Sequence, residues 1–191
     1  MLPSFDVVTL MLHFRSDPDD PGCALLEIMN IFNGARAEMD TVGDIKVSCS
    51  TLVQLLDLCG SYKDIIASFS YSREAVQFRD AAVSEHMAVL SSLRSKYINE
   101  DMVGSEEGIV PPTMGDNLVV MFILTTDAEH PDLRAQPIGL GDIEYVVMAM
   151  QQIARDVNPV VAISILNTPS TMNAPLTEEG LVLNFPELLP A

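Results

Sequence analysis

The side chains in this sequence with the most chemical reach are three histidines, three cysteines and one acidic turn. His13, His86 and His130 stand far apart and share no metal-ligand spacing. His13 lies in an apolar strand, His86 at the edge of a helical stripe, and His130 in a loop beside Pro131. A histidine so placed serves as a satisfied structural group, an exposed one, or a lone axial ligand to a pigment. The stretch "SDPDDPGCALLE" puts Asp17, Asp19 and Gly22 at the first, third and sixth positions of a calcium loop. Such a loop also needs an oxygen ligand at its fifth position and a bidentate glutamate at its twelfth. Those positions hold Pro21 and Ile28, so the stretch reads as a turn with acids near a helix start. "IGLGD" (138–142) carries a lone G-x-G before a helix. It lacks the preceding strand end and the third glycine of a dinucleotide fingerprint, and Asp142 reads as a helix N-cap. Cys23, Cys49 and Cys59 are odd in number and form no C-x-x-C pair. They imply neither a disulfide framework nor a zinc site, and they suit a reducing compartment. With no G-x-S-x-G, P-loop or H-E-x-x-H, the residues nominate no catalytic, cofactor-binding or metal-ligating group and imply no cofactor.

The elements that must position these groups follow from periodicity. "DVVTLMLHF" (6–14) is rich in β-branched and large apolar residues and stops at a breaker cluster, so a buried strand is expected over 7–14. Leu25, Ile28, Met29 and Phe32 recur at helical spacing, predicting a helix over 24–34 that ends near Gly34. A second stripe through Leu52, Leu55, Cys59, Tyr62, Ile66 and Phe69 predicts a helix over 51–69, kinked or divided at Gly60. Val83, Met87, Leu90, Leu93 and Tyr97 set the inward face of a helix expected over 73–98. Residues 99–117 hold three glycines, two adjacent prolines and five acids, and read as an exposed acidic connector. Beyond it, strand 118–126, helix 142–156 and strand 160–166 suggest a βαβ unit. The expectation is one α+β domain spanning 1–191. A helical N-terminal half and a βαβ C-terminal half would share a small mixed sheet, packed against four or more helices.

Composition narrows the function classes. The 191 residues are 48% hydrophobic, enough for a chain of this size to bury a core without metal or disulfide support. Tryptophan is absent and aromatics are few, so Leu, Ile, Val, Ala and the 11 methionines must fill that core. The balance of 27 acidic against 10 basic residues gives a formal charge of −17. Such a surface repels phosphate backbones, which excludes nucleic acid as a natural partner. The opening "MLPSFDVVTLMLHF" has no basic leader or secretory apolar core. No apolar run approaches the roughly 20 residues that span a bilayer, so no transmembrane segment is expected.

The last 25 residues, "NTPSTMNAPLTEEGLVLNFPELLPA", follow the apolar run "PVVAISIL" and are dense in proline, yet they parse as built structure. Thr177 suits an N-cap with Glu178 and Glu179 at the positive end of the helix dipole. Leu176 and Leu181 take the positions of a hydrophobic staple. Pro186 ends the turn, and Leu188 and Leu189 are free to pack back.

This ending resembles a family of uncharacterised cyanobacterial and chloroplast proteins that includes the plant fluctuating-light-acclimation protein. The matching residues are Thr168 and Pro169, then Leu176, Thr177 and Glu178, then Phe185, Pro186, Leu188 and Pro190. "NLVVMFILTT" is similar to a family strand, and the helix at 142–156 falls where the family has one. Asn167 and Phe185 stand where the family has Trp and Tyr, and the membrane-spanning segment common upstream in the family does not occur in this sequence. The resemblance implies a photosynthetic setting, in the chloroplast on the stromal side of the thylakoid or in the cyanobacterial cytoplasm. It supplies no catalytic residues. The expected function is a non-catalytic auxiliary protein docking on a membrane photosynthetic complex through photosystem or antenna proteins. It would act as a peripheral subunit or as a regulatory or assembly factor. The alternative is a small-molecule-binding or enzymatic domain with a pocket near 138–142.

Overall fold

A computed structural model describes residues 4–15, 23–42, 45–58, 66–75, 79–97, 117–127, 130, 133, 143–168 and 176–188. In chain order the elements are β1 (Ser4–Arg15), α1 (Cys23–Val42), α2 (Ile45–Leu58), β2 (Ile66–Ala75) and α3 (Arg79–Tyr97). Then follow β3 (Asn117–Thr126), α4 (Ile143–Arg155), β4 (Val160–Thr168), α5 (Glu178–Asn184) and a 3-10 turn, Pro186–Leu188. The protein is an α+β fold, as its patterning implies. The four strands form one sheet in the order β2-β1-β3-β4.

Every neighbouring pair in that sheet is antiparallel, so the sheet is not mixed. Strand, helix, strand over 117–168 is therefore not a parallel crossover: β3 and β4 pair antiparallel, with α4 bridging them. Periodicity identifies such elements but carries no information on strand direction. β1, from the N-terminal half, pairs with both β2 and β3, so the two halves share one sheet. The acidic stretch 99–116 lies outside the described residues, and Asn117 already belongs to β3.

Antiparallel sheets commonly leave one face wet, and then their strands alternate apolar with polar. Here all ten residues of β3 are buried, because helices cover both faces. On one face Val8, Leu10, Leu12 and Phe14 of β1 and Leu118, Val120, Phe122 and Leu124 of β3 meet helices α1, α2 and α4. On the other, Val7, Met11, Val119, Met121 and Ile123 meet Leu90 and Tyr97 of α3 and the closing segment 176–188. The strand period of two sends successive side chains into opposite cores. Each large apolar side chain buried there contributes roughly 1.5–3 kcal/mol. Between Thr125 and Thr126 the β3–β4 register shifts. Val160 thereby shares a face with Ile163 and Ile165, from which regular alternation would separate it.

Three helix expectations are corrected. α1 runs on through Gly34 to Val42, since a glycine in a helix costs only about 1 kcal/mol against alanine. The helix expected over 51–69 is α2 alone; it starts earlier, at Ile45, and stops at Leu58. Ile66 and Phe69, assigned to its stripe, lie in β2. "SFSYS" (68–72) alternates serine with aromatic residues, a period-two signal that outweighs two apolar residues at helical spacing. For the same reason residues 73–75 finish β2, and α3 begins at Arg79 instead of 73.

Candidate functional site

Two buried histidines lie on the α3 face of the sheet, and a third lies at the lip of a groove. α3 turns Ala82, His86, Leu90 and Tyr97 inward, while Val83 and Met87 are exposed. The first half of its buried stripe is thus rotated by one residue from the apolar pattern, and a histidine occupies a core position. The reason lies on the strands opposite. Thr125 and Ser164 place hydroxyls under the helix, and the buried hydroxyl of Thr125 requires a partner. His86 Nδ1 lies 3.0 Å from Thr125 Oγ1, and its Nε2 lies 2.8 Å from Ser164 Oγ. Each hydroxyl can donate or accept, so both bonds form in either neutral tautomer. Burial pushes the His86 pKa down.

A serine oxygen 2.8 Å from an imidazole nitrogen has the spacing of a nucleophile and its base. Here the third member is a hydroxyl rather than a carboxylate, and the described groove lies at other residues. The arrangement is a satisfied polar bridge tying α3 to β3 and β4.

His13 performs a related task at the opposite end of the sheet. Asn117 Nδ2 donates to the Leu176 carbonyl at 3.1 Å, which turns Oδ1 toward His13. His13 Nε2 therefore donates to that oxygen at 2.9 Å, and Nδ1 is left as a buried acceptor with no partner. Burial lowers the His13 pKa; the Asn117 bond and the Glu178 carboxylate oppose it, and Arg15 adds to it. The chain His13, Asn117, Leu176 fastens the closing segment to the sheet, with Asn117 and Leu176 also joined in an antiparallel bridge. Beside it, Arg15 Nη2 donates to Glu178 Oε1 at 2.6 Å on the open surface.

The closing segment is built as its residues imply. Thr177 caps α5, its Oγ1 accepting from the Gly180 N–H at 3.1 Å. Leu176 and Leu181 are both buried, as a staple requires. Phe185 stacks on Tyr97 of α3 with ring centroids 4.8 Å apart. Leu188 is buried beside them. Leu189 and Pro190 fall outside the described residues.

The third histidine borders an open groove of about 900 Å3 along α4. Tyr145, Met148 and Gln152 of α4 line one side; Asp127, Asn158 and Pro159 at the β3–β4 end line the other. The Asp127 N–H donates to the Pro159 carbonyl at 3.0 Å and closes the strand ends. His130 is held by its backbone N–H, which donates to Asp6 Oδ2 at 2.8 Å. Its ring Nε2 is buried with no partner. Burial lowers its pKa against the pull of the Asp6 carboxylate. Tyr145 and Met148 are 41% and 67% exposed, which leaves an apolar stripe on the outer face of α4 beside this groove.

Among the described residues, no group of three or more His, Cys, Asp or Glu side chains is placed to hold a metal ion. Also among them, no helix is long and apolar enough to cross a membrane. Cys49 is buried in the core beneath α2. The acidic turn 16–22, the "IGLGD" segment with Asp142, and Cys59 lie outside the described residues. The partners Asn117, Thr125 and Ser164 were not singled out by motif. Their signal was a polar residue inside an otherwise apolar strand, which obliges a partner to exist.

Residues 37–191 match the family described as proteins of unknown function, DUF1517. The chain belongs to that family. The matched span takes in the whole sheet except β1, together with α3, α4 and the closing segment. No curated protein and no solved structure matches the chain. Both the His86 bridge and the Asn117–Leu176 link thus lie within the DUF1517 region, while His13 and Asp6 reach into it from β1.

Proposed function

We propose that this DUF1517 protein is a non-catalytic auxiliary protein of photosynthesis, related to the plant fluctuating-light-acclimation protein. It docks on the stromal or cytoplasmic side of a membrane photosynthetic complex, as a peripheral photosystem subunit or as a regulatory or assembly factor. The reading is carried by the closing segment. Leu176, Thr177, Phe185, Pro186 and Leu188, which bear the resemblance to that family, form the ordered element packed on α3 and β3. A surface suited to docking accompanies it in the exposed Tyr145 and Met148 of α4, since apolar side chains grouped in the open favour protein contacts. Its workplace is then the stromal side of the thylakoid, or the cytoplasmic side in a cyanobacterium. The test is co-purification with thylakoid complexes in mild detergent, followed by identification of the subunits crosslinked to this chain. Recovery only as a free monomer would sink the proposal.

The groove favours a second reading, in which a small molecule binds between α4 and the β3–β4 end; the 138–142 segment at which such a pocket was expected lies outside the described residues. Its volume of about 900 Å3 lies within the range of ligand pockets. A thermal-shift screen with wild-type protein and Met148→Glu would decide it. Ligands that stabilise only the wild type support this reading, and a screen without stabilising compounds counts against it.

A further inference from the structure

β4 forms one margin of the sheet. It pairs with β3 on one side, and among the described residues no strand pairs with the other. In an antiparallel strand, successive residues present their N–H and C=O groups to opposite sides. Every second residue of β4 therefore directs its backbone outward. Exposure along the strand is confined to its middle: Ala162, Ile163, Ser164 and Ile165 are part-exposed, whereas Val160, Val161 and Leu166–Thr168 are buried. Natural edges are blunted by charge, by proline or by shortness. "VVAISILNT" has nine residues, no charge and no proline. Ile163 and Ile165 lean on the core beneath α1, α2 and α4, yet keep part of their surface open.

We propose that the outer edge of β4, centred on Ala162–Ile165, accepts an extended segment of another protein as a fifth strand, and that this segment carries lysine or arginine on its flanks. The backbone ladder specifies an extended segment, because only a strand satisfies a row of evenly spaced donors and acceptors. Charge selects its source. The chain carries a formal charge of −17, which steers a basic segment inward and opposes the approach of a second copy. Apolar residues at alternate positions of the incoming strand extend the surface begun by Ile163 and Ile165. This rests on the docking reading above and adds to the exposed Tyr145 and Met148 of α4 a second contact, at the sheet edge.

The test uses the full chain and a fluorescein-labelled, terminally blocked peptide, Lys-Lys-Thr-Val-Thr-Val-Thr-Lys-Lys. Its counterparts replace the lysines with glutamate or methylate alternate backbone nitrogens. Fluorescence anisotropy should show saturable binding of the lysine peptide that weakens with added salt. The glutamate peptide should bind at least about tenfold more weakly, and one of the two methylation registers should lose binding. Ala162→Pro and Ile163→Pro remove N–H groups on opposite sides of the strand. One should break the ladder to β3 and lower Tm; the other should keep the wild-type Tm and lose the peptide. Equal binding of the lysine and glutamate peptides would overturn the proposal, as would indifference to methylation in both registers. A concentration-dependent dimer dissolved by the fold-retaining variant would also overturn it, assigning the edge to a second copy. Peptide binding without any photosynthetic complex would overturn the functional reading and leave the edge standing. A complex recovered without peptide binding would do the reverse.

Discussion

His86 bonds the hydroxyl of the buried Thr125 and that of the part-exposed Ser164, and so ties α3 to both strands through one side chain. His86→Ala leaves Thr125 and Ser164 facing a cavity. Losing the partner of a buried polar group costs about 1–3 kcal/mol, and the cavity adds to it, so the variant should lose roughly 2–4 kcal/mol in urea denaturation. The combined variant His86→Leu, Thr125→Val, Ser164→Ala removes every polar member at once and should recover most of that loss, because replacing all partners by apolar groups is nearly neutral. If the single variant unfolds at the same urea concentration as wild type, the bridge has no stabilising role. If the triple variant costs more than the single one, packing rather than hydrogen bonding governs the site. His13 differs in kind: its Nε2–H is committed to Asn117 and its Nδ1 is bare, so its contribution is positional, holding Asn117 ready for the Leu176 carbonyl.

At the scale of elements, the closing segment tests how far local rules reach. Thr177→Ala removes the cap and should cost about 1 kcal/mol, while Leu181→Ala empties a core position and should cost about 2–5 kcal/mol. Thermal melts of both variants check the order, and a larger loss for the cap than for the staple would contradict this account. Cap, staple and proline stop were legible because each depends on residues a few positions apart. β1, β3 and β4 were legible too, as strand-length runs of β-branched and large apolar residues, and α4 as the longer segment between two of them. β2 was misread because apolar residues at helical spacing coexist with alternating serines, and pairing with β1 settles the choice. Strand direction was illegible for a deeper reason: whether β3 and β4 run antiparallel depends on the path of the intervening chain, which leaves no mark in either strand's pattern. The histidine contacts failed likewise, since His86 meets Thr125 and Ser164 across 39 and 78 residues. Only the obligation to find partners was visible locally.

At the scale of the molecule, two electrostatic influences act on stability and can be separated. A formal charge of −17 sets carboxylates against one another, and salt screens such repulsion with a Debye length of about 8 Å at physiological ionic strength. Raising NaCl from about 20 to about 300 mM should therefore raise Tm; a gain of about 1 kcal/mol corresponds to about 2–4 °C for a chain of this length. The histidines act oppositely on acidification. His13, His86 and His130 all have pKa values lowered by burial. The unfolded chain, with histidines near pKa 6.5, then binds protons that the folded chain refuses. By linkage, stability is fully present above about pH 6.5 and declines as pH falls below it toward the lowered folded values. The window from about pH 6.5 to about 5.5 is therefore where the histidine contribution should be read. Melting at fixed high salt should show Tm falling across that window. The fall should shrink in the His86→Leu, Thr125→Val, Ser164→Ala variant, which retains only two of the three imidazoles whose pKa burial lowers. A Tm that rises across the window at high salt would mean relief of surface repulsion outweighs the buried histidines.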